Sequence, residues 1–309
     1  MNIVMAMFGA SAQGLLWAIL ALGVFLTFRI LDFADMSCEG SFALGGSISA
    51  VLMVHQHWNP FLTLLVSILA GMAAGCLTGI LHTKLKIPAI LSGILTMFVL
   101  YSINLRIMGQ AMTSLLGQNT IISIFKDIFP AAKDLGIKDS TLQSWVNMGV
   151  GMICIFIVIV FLYWIFGTEI GCCIRATGNN EAMVRAQGVN TDRTKIFGLM
   201  ISNGMIALSG ALVTQSQGFA DINMGVGAIV IGLASIVIGE VLFSKVKNFA
   251  KKLAAIVIGA VIYRIIIAVV LQLGLNTDDL KLLTAAVVAL ALAVPVLKRK
   301  RGIVRREGN

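Results

Sequence analysis

The chain has 309 residues, of which 58% are hydrophobic and only 12% charged, with a mean hydropathy of +0.96. A soluble domain of this size needs far more polar surface, so the composition excludes one and indicates a polytopic membrane protein. A net charge of +9 would suit nucleic acid, but the basic residues sit in short segments between apolar runs, the pattern of membrane orientation, and no nucleic acid is expected.

The amino terminus, MNIVMAMFGASAQG, lacks the basic start of a secretion signal, so the first span is expected to stay in the mature protein. A spanning helix needs about 20 largely apolar residues. By that measure an all-α transmembrane bundle of about nine spans is predicted, near residues 10–28, 36–54, 61–81, 87–104, 146–166, 196–214, 225–242, 253–273 and 280–297. The span 36–54 is rich in small and polar residues, among them Ser37, Glu39, Ser41 and Gly46. Its later counterpart carries Asn223, Gly225, Gly227, Gly232 and Ser235. Glycines permit close helix approach or a break, and a broken helix frees backbone groups that can line a wet path. These residues are candidates for a translocation path, with helix packing alone as the alternative. Asp35 and Asp221 each precede such a span and are expected to cap free backbone donors.

Between the fourth and fifth spans, Arg106–Trp145 carries an apolar patch, IISIFKDIF, suited to a short helix on the outer leaflet, a landing surface for an external protein, or a passive loop. The polar stretch 171–195, GCCIRATGNNEAMVRAQGVNTDRTK, lies between two long apolar runs. Its core, 179–188, reads as a short amphipathic helix with Ala182, Met183 and Ala186 on one face, Glu181 and Arg185 paired four apart, and Gly188 as the stop. Such a helix suits either contact with a soluble partner or an ordinary solvated loop. The five cysteines show no metal-ligand spacing and are expected to be free thiols.

Arg264 stands near the middle of its predicted span. An unpartnered guanidinium there costs at least about 2.5–3.5 kcal/mol, so a partner is expected, with Glu39 the first choice. Arg264 either borders the path or locks two helices together. Glu240 lies within two residues of the inner end of its own span.

Orientation follows from the basic residues. With 171–195 inside, 17 of the 23 Lys and Arg fall on the cytoplasmic side, five fall outside and Arg264 lies within a span, which places the amino terminus outside and the carboxyl terminus in the cytoplasm. Sliding the sequence by 186 positions aligns 21–53 with 207–239, with nine of 33 positions identical and Phe-Ala-Asp repeated intact at 33–35 and 219–221. Under the charge-derived topology the copies point in opposite directions. One membrane domain, 1–309, would then hold an inverted pair, about 10–166 and 196–297, as in many transporters. No P-loop, H-E-x-x-H, G-x-S-x-G or Cys/His cluster occurs, so no catalysis, cofactor or metal site is expected in this chain.

Three stretches carry a family resemblance. They are ALGVFLTFRILDFADMSCEGSFALGGSISA, RATGNNEAMVRAQGVNTDRTKIFGLMISNGMIALSGAL and GLASIVIGEVLF, the last with Glu240 where the family more often has Gly. They resemble the membrane permeases of ATP-binding cassette importers that serve branched-chain amino acids and ribose, and look most like those of tryptophan and tyrosine transporters. The resemblance implies a bacterial plasma-membrane importer of a small solute, an amino acid and at the finer level an aromatic one. It further implies that Asn180, Glu181, Ala182, Ala186 and Gly188, with Arg185 paired to Glu181, dock into a separate ATPase that carries the ATP and Mg. A lipoprotein or periplasmic binding protein would deliver the solute, and two permease copies would form the channel. An ion-coupled secondary transporter also accounts for the inverted pair, and a membrane scaffold or channel is the third reading.

Overall fold

The computed structural model describes residues 3–128, 139–243 and 248–272, with a few isolated positions between 282 and 289. Eleven helices are described within these bounds: α1 Ile3–Phe25, continued by a π-helical turn Leu26–Ile30, α2 Cys38–Gln56, α3 Pro60–Thr83, α4 Ala89–Met108, α5 Ile121–Ile128, α6 Asp139–Gly167, α7 Glu169–Asn179, α8 Glu181–Ala186, α9 Thr191–Gln217, α10 Ala228–Leu242 and α11 Phe249–Gln272. Their ends follow local chemistry. Asn59 caps α3 by accepting from the Phe61 N–H, and Pro60 supplies the first helical position. At the other end of α9, Gly218 takes φ +79°, a left-handed stop that a side chain would disfavour.

Among the described residues six helices are long and apolar enough to span a bilayer: Met5–Ile30, α3, α4, Thr141–Gly167 within α6, α9 and α11. The all-α bundle is as predicted, and six of the nine predicted spans are met by helices of this kind within those residues. The predicted span 36–54 does form a helix, α2, whose many small polar residues lower its hydropathy. The one at 225–242 forms the 15-residue α10. The last predicted span, 280–297, and the basic tail lie outside the described residues.

Lipid is as apolar as a leucine side chain, so helices in a membrane associate through close packing and hydrogen bonds. Here α1 and α9 form the centre, each with 78% of its apolar stretch buried, against 28–39% for α3, α4, α6 and α11, which face outward. Gly71, Gly75 and Gly79 make a stripe down α3 that lies against Asn203, Leu199 and Ile196 of α9. Hydroxyls then bridge backbones: Ser202 Oγ donates to the Gly23 carbonyl and Ser209 Oγ to that of Leu16, each at 2.8 Å. As these two pairs show, α1 and α9 run antiparallel.

Adding 186 to the bounds of Met5–Ile30 gives 191–216, against Thr191–Gln217 for α9. The same shift takes α2 to 224–242, over α10, and α3 to 246–269, over α11. Packing follows the same correspondence, since α1 lies along α11 while α9 lies along α3. The two Phe-Ala-Asp segments differ in one respect. The second forms a strand, Phe219–Asp221, paired antiparallel with Met112–Ser114, with Thr113 opposite Ala220. The apolar patch beyond it becomes α5, which turns Ile121 and Ile122 into the protein against α6 rather than lying apart from it; its remainder beyond 128 is outside the described residues.

One end of the bundle gathers the basic segments. Arg29 pairs with Glu240, the Phe33 ring meets His82 beside the Lys84–Lys86 turn, Gly178 abuts the Ile30 carbonyl, and Phe166 meets Phe249 at the start of α11.

Candidate functional site: a mid-bundle cavity and a capped end helix

The helices α2 and α10 both begin inside the bundle. Gly40, in the first turn of α2, packs on Leu100 in the middle of α4, and Gly232, in the first turns of α10, packs on Leu20 and Val24 of α1. From there α10 descends to Glu240 at the Arg29 end, while α2 runs the other way. The two starts meet: Gly225 lies against the Glu39 carbonyl, and these positions are 186 apart.

Each start is held by a carboxylate of this chain. Asp35 Oδ1 accepts from the Ser37 N–H at 2.9 Å and from Ser37 Oγ, while Oδ2 accepts from Asn203 Nδ2 at 2.7 Å; Asp35, Ser37 and Asn203 are fully buried. Asp221 Oδ1 accepts from the Asn223 N–H at 2.6 Å, the same bond 186 residues on. Contrary to the expectation from sequence, neither aspartate caps a helix directly: Asp35 bonds Ser37, the residue ahead of α2, and Asp221 bonds Asn223 in the turn that leads to α10. Glu39 Oε1 accepts from the Gly227 N–H at 2.9 Å, just ahead of α10.

Beside these starts lies a cavity of about 420 Å³, lined by Glu39, Gly40 and Ala43 of α2, by Met97, Phe98, Tyr101 and Asn104 of α4, and by Ile222, Asn223, Gly225 and Val226. Of the sequence-predicted path residues it brings together Glu39 and Asn223. Ser37 lies behind, in the Asp35 node. Ser41 is buried with no partner for Oγ, and Gly46 packs on Thr214 and Met224. The α4 contribution was missed, although Asn104 stood out in its sequence as a polar residue in an apolar run.

Arg264 corrects an expectation. Glu39 is not its partner: the guanidinium lies over the Trp17 ring at 4.1 Å, and Trp17 in turn meets Phe42 at 4.8 Å. Among the described residues no carboxylate is within ion-pair distance of Arg264, and its Nε has no hydrogen-bond partner. The electron-rich indole face stabilises a cation by about 0.5–2 kcal/mol, the larger figure applying where water is excluded. Replacing Arg264 with Met should therefore keep the fold, because a flexible apolar chain covers the same ring and a costly charge is gone. Thermal unfolding of detergent-purified protein should show a melting temperature within a few degrees of wild type; loss of the protein from the membrane would show that the guanidinium itself holds α1 to α11.

At the basic end, the stretch 171–195 is more structured than its sequence suggested. Asn179 ends α7, and α8 covers Glu181–Ala186 only, with Asn180 as its cap: Asn180 Oδ1 accepts from the Met183 N–H at 3.0 Å. Gly188, at φ +85°, turns the chain toward α9. Glu181 anchors the corner. Its carboxylate pairs with Lys195 at 2.7 Å and Arg185 at 2.9 Å and accepts from Thr191 Oγ1 at 3.1 Å, so α8 is tied to the first turn of α9. Lys195 beside it, by hydrogen bond first, holds the Glu181 carboxyl below its ordinary range, with Thr191 and Arg185 adding to the effect. Val184 is the buried anchor, whereas Ala182, Met183 and Ala186 are exposed. An apolar face left exposed among the described residues, on a helix fixed at both ends, suits contact with another protein.

A family model described as the branched-chain amino acid transport system permease component matches residues 6–297. The chain is 42% identical to the tyrosine transport system permease protein of Clostridioides difficile (strain R20291) over 281 residues, covering 91% of this chain and 88% of that one. It is 32% identical to protein RP368 of Rickettsia prowazekii over 287 residues, covering 92% and 95%. Against the ribose import permease protein of Haemophilus influenzae it is 30% identical over 211 residues, covering 68% and 60%.

Proposed function

Since the chain belongs to the family of branched-chain amino acid transport system permease components, we propose that it is the membrane subunit of an ATP-driven importer for an amino acid, with aromatic amino acids the favoured class. The observation that carries this is the exposed, doubly anchored α8 at the end of the bundle where the basic segments gather. In this reading that end faces the cytoplasm, in keeping with the bias of Lys and Arg, and a separate ATPase grips Ala182, Met183 and Ala186.

The helices related by 186 residues, with α1 antiparallel to α9, are then an inverted pair, and the mid-bundle cavity sits where its two halves meet. Exchange of conformation between the halves would open the cavity first to one side and then to the other. A binding protein outside delivers the solute, and a second copy of the permease completes the channel. An ion-coupled transporter would share the inverted pair but leave α8 without a role.

The test is assembly. Extracted gently from its native membrane, the permease should retain a nucleotide-hydrolysing subunit in equal number. Recovery of intact permease free of any such subunit would refute the proposal.

A further inference from the structure

The polar side chains lining the mid-bundle cavity are Glu39, Tyr101, Asn104 and Asn223, and Glu39 supplies the charge among them. Asn104 is 1% exposed; its Nδ2 donates to the Gly40 carbonyl at 3.3 Å, and its Oδ1 has no partner although the residue lines the cavity. A buried acceptor left unpaired is costly, and a ligand N–H would relieve it once the side chain turns Oδ1, itself closed to solvent, toward the cavity. Glu39 accepts from the backbone N–H groups of Gly227 and Ile229, while a carboxylate offers about four acceptor positions.

No Lys, Arg or His is among the residues lining the cavity. Helix starts ordinarily favour an anion, but here the bonds from Ser37 and Gly227 to Asp35 and Glu39 already supply it. An incoming carboxylate would therefore meet negative charge with no cation to answer it. The rest of the lining is largely apolar and aromatic: on α4, Phe98 and Tyr101 are 62% and 48% exposed, and Met97 and Val226 also line the cavity. A volume of about 420 Å³ is within the common range of small-molecule sites.

We propose that this cavity recognises the primary ammonium of a solute bearing an aromatic or large apolar group, with Glu39 and Asn104 accepting from the ammonium and Phe98 and Tyr101 packing on the side group. The inference rests on the reading of the chain as an amino acid permease, and it assigns a determinant of specificity to the membrane chain itself.

Full-length permease in lipid nanodiscs, probed with tritiated tyramine in a proximity assay, tests it. Tyramine carries the ammonium and ring without the carboxylate. L-tyrosine, which adds the carboxylate to the same ammonium and ring, should displace it only at higher concentration than tyramine itself. The analogue lacking nitrogen, 3-(4-hydroxyphenyl)propionate, should need at least about tenfold more, the effect expected for loss of a charged hydrogen-bonding group. Glu39→Gln keeps an acceptor for the Gly227 N–H and should weaken tyramine by about tenfold or more at unchanged melting temperature. Absence of saturable tyramine binding, or equal displacement by the nitrogen-free analogue, would overturn the proposal. Should Glu39→Gln fail to fold, the wild-type displacement series decides alone. A permease that retains its ATPase but does not distinguish the two analogues refutes this site and spares the proposed function. One that binds tyramine saturably but assembles with no ATPase does the reverse.

Discussion

Gly210→Val is expected to eliminate the folded protein, with no monodisperse peak on size-exclusion chromatography of a tagged variant. At the crossing of α2 and α9 the backbones touch: a methyl group at Gly210 would overlap the Phe42 carbonyl oxygen, and one at Gly45 would overlap that of Ala207. Overpacking a core against movable side chains costs about 1–3 kcal/mol. Here the obstacle is main chain within two helices, so accommodation requires the helices to separate. Separation would pull Gln215 Nε2 from Ser49 Oγ at 3.1 Å and Thr63 Oγ1 at 3.2 Å, and Asn203 from Asp35, leaving buried polar groups unpaired at about 1–3 kcal/mol each. Gly149 of α6 is the control, because no atom lies near the position of an added side chain. Gly149→Val should elute as wild type. A normal peak for Gly210→Val would show that α2 and α9 lie further apart than described.

Under the proposed function, Met183→Asp is expected to abolish import and to release the proposed ATPase while leaving the permease itself intact. The Met183 side chain is 49% exposed and belongs to the outward face of α8, so a substitution there should change stability by no more than about 0.5 kcal/mol. A carboxylate pressed into an apolar docking groove, however, must be desolvated without a partner. Uptake of labelled amino acid should fall by at least about tenfold, a change of about 1.4 kcal/mol or more in the coupling contact. Val184→Asp is the contrast. Val184 is 2% exposed, and a charge there should disrupt the corner itself. Undiminished uptake by Met183→Asp would remove α8 from the coupling mechanism.

Much of the candidate site could be read locally. Glu181 and Arg185 are four apart on one helix, so their pairing followed from spacing alone. The helix expected over 179–188 is shorter in the structure, because Asn179 belongs to the preceding α7 and Asn180 takes an extended backbone that caps α8 at Glu181–Ala186. The Glu39–Arg264 pairing failed for a different reason. An arginine in a bilayer must be accommodated, but sequence does not say by what, and an indole face on α1 served where a carboxylate was expected.

Hydropathy was enough, without coordinates, to identify a multi-pass helical bundle, a Phe-Ala-Asp repeated at an interval of 186 residues marked the offset that relates α1, α2 and α3 to α9, α10 and α11, and polar spacing marked 179–188 as helical. Those features are periodic or local, and a linear pattern expresses them fully. The company each polar group keeps was settled only by how helices cross. Arg29 finds Glu240 across 211 positions, Asp35 finds Asn203 across 168, and Asn104 reaches the cavity because Gly40 lets α2 lie close on α4. Side chains reach only a few ångströms, so such meetings depend on the depth and rotation at which distant helices pack, and no local stretch of sequence carries that information.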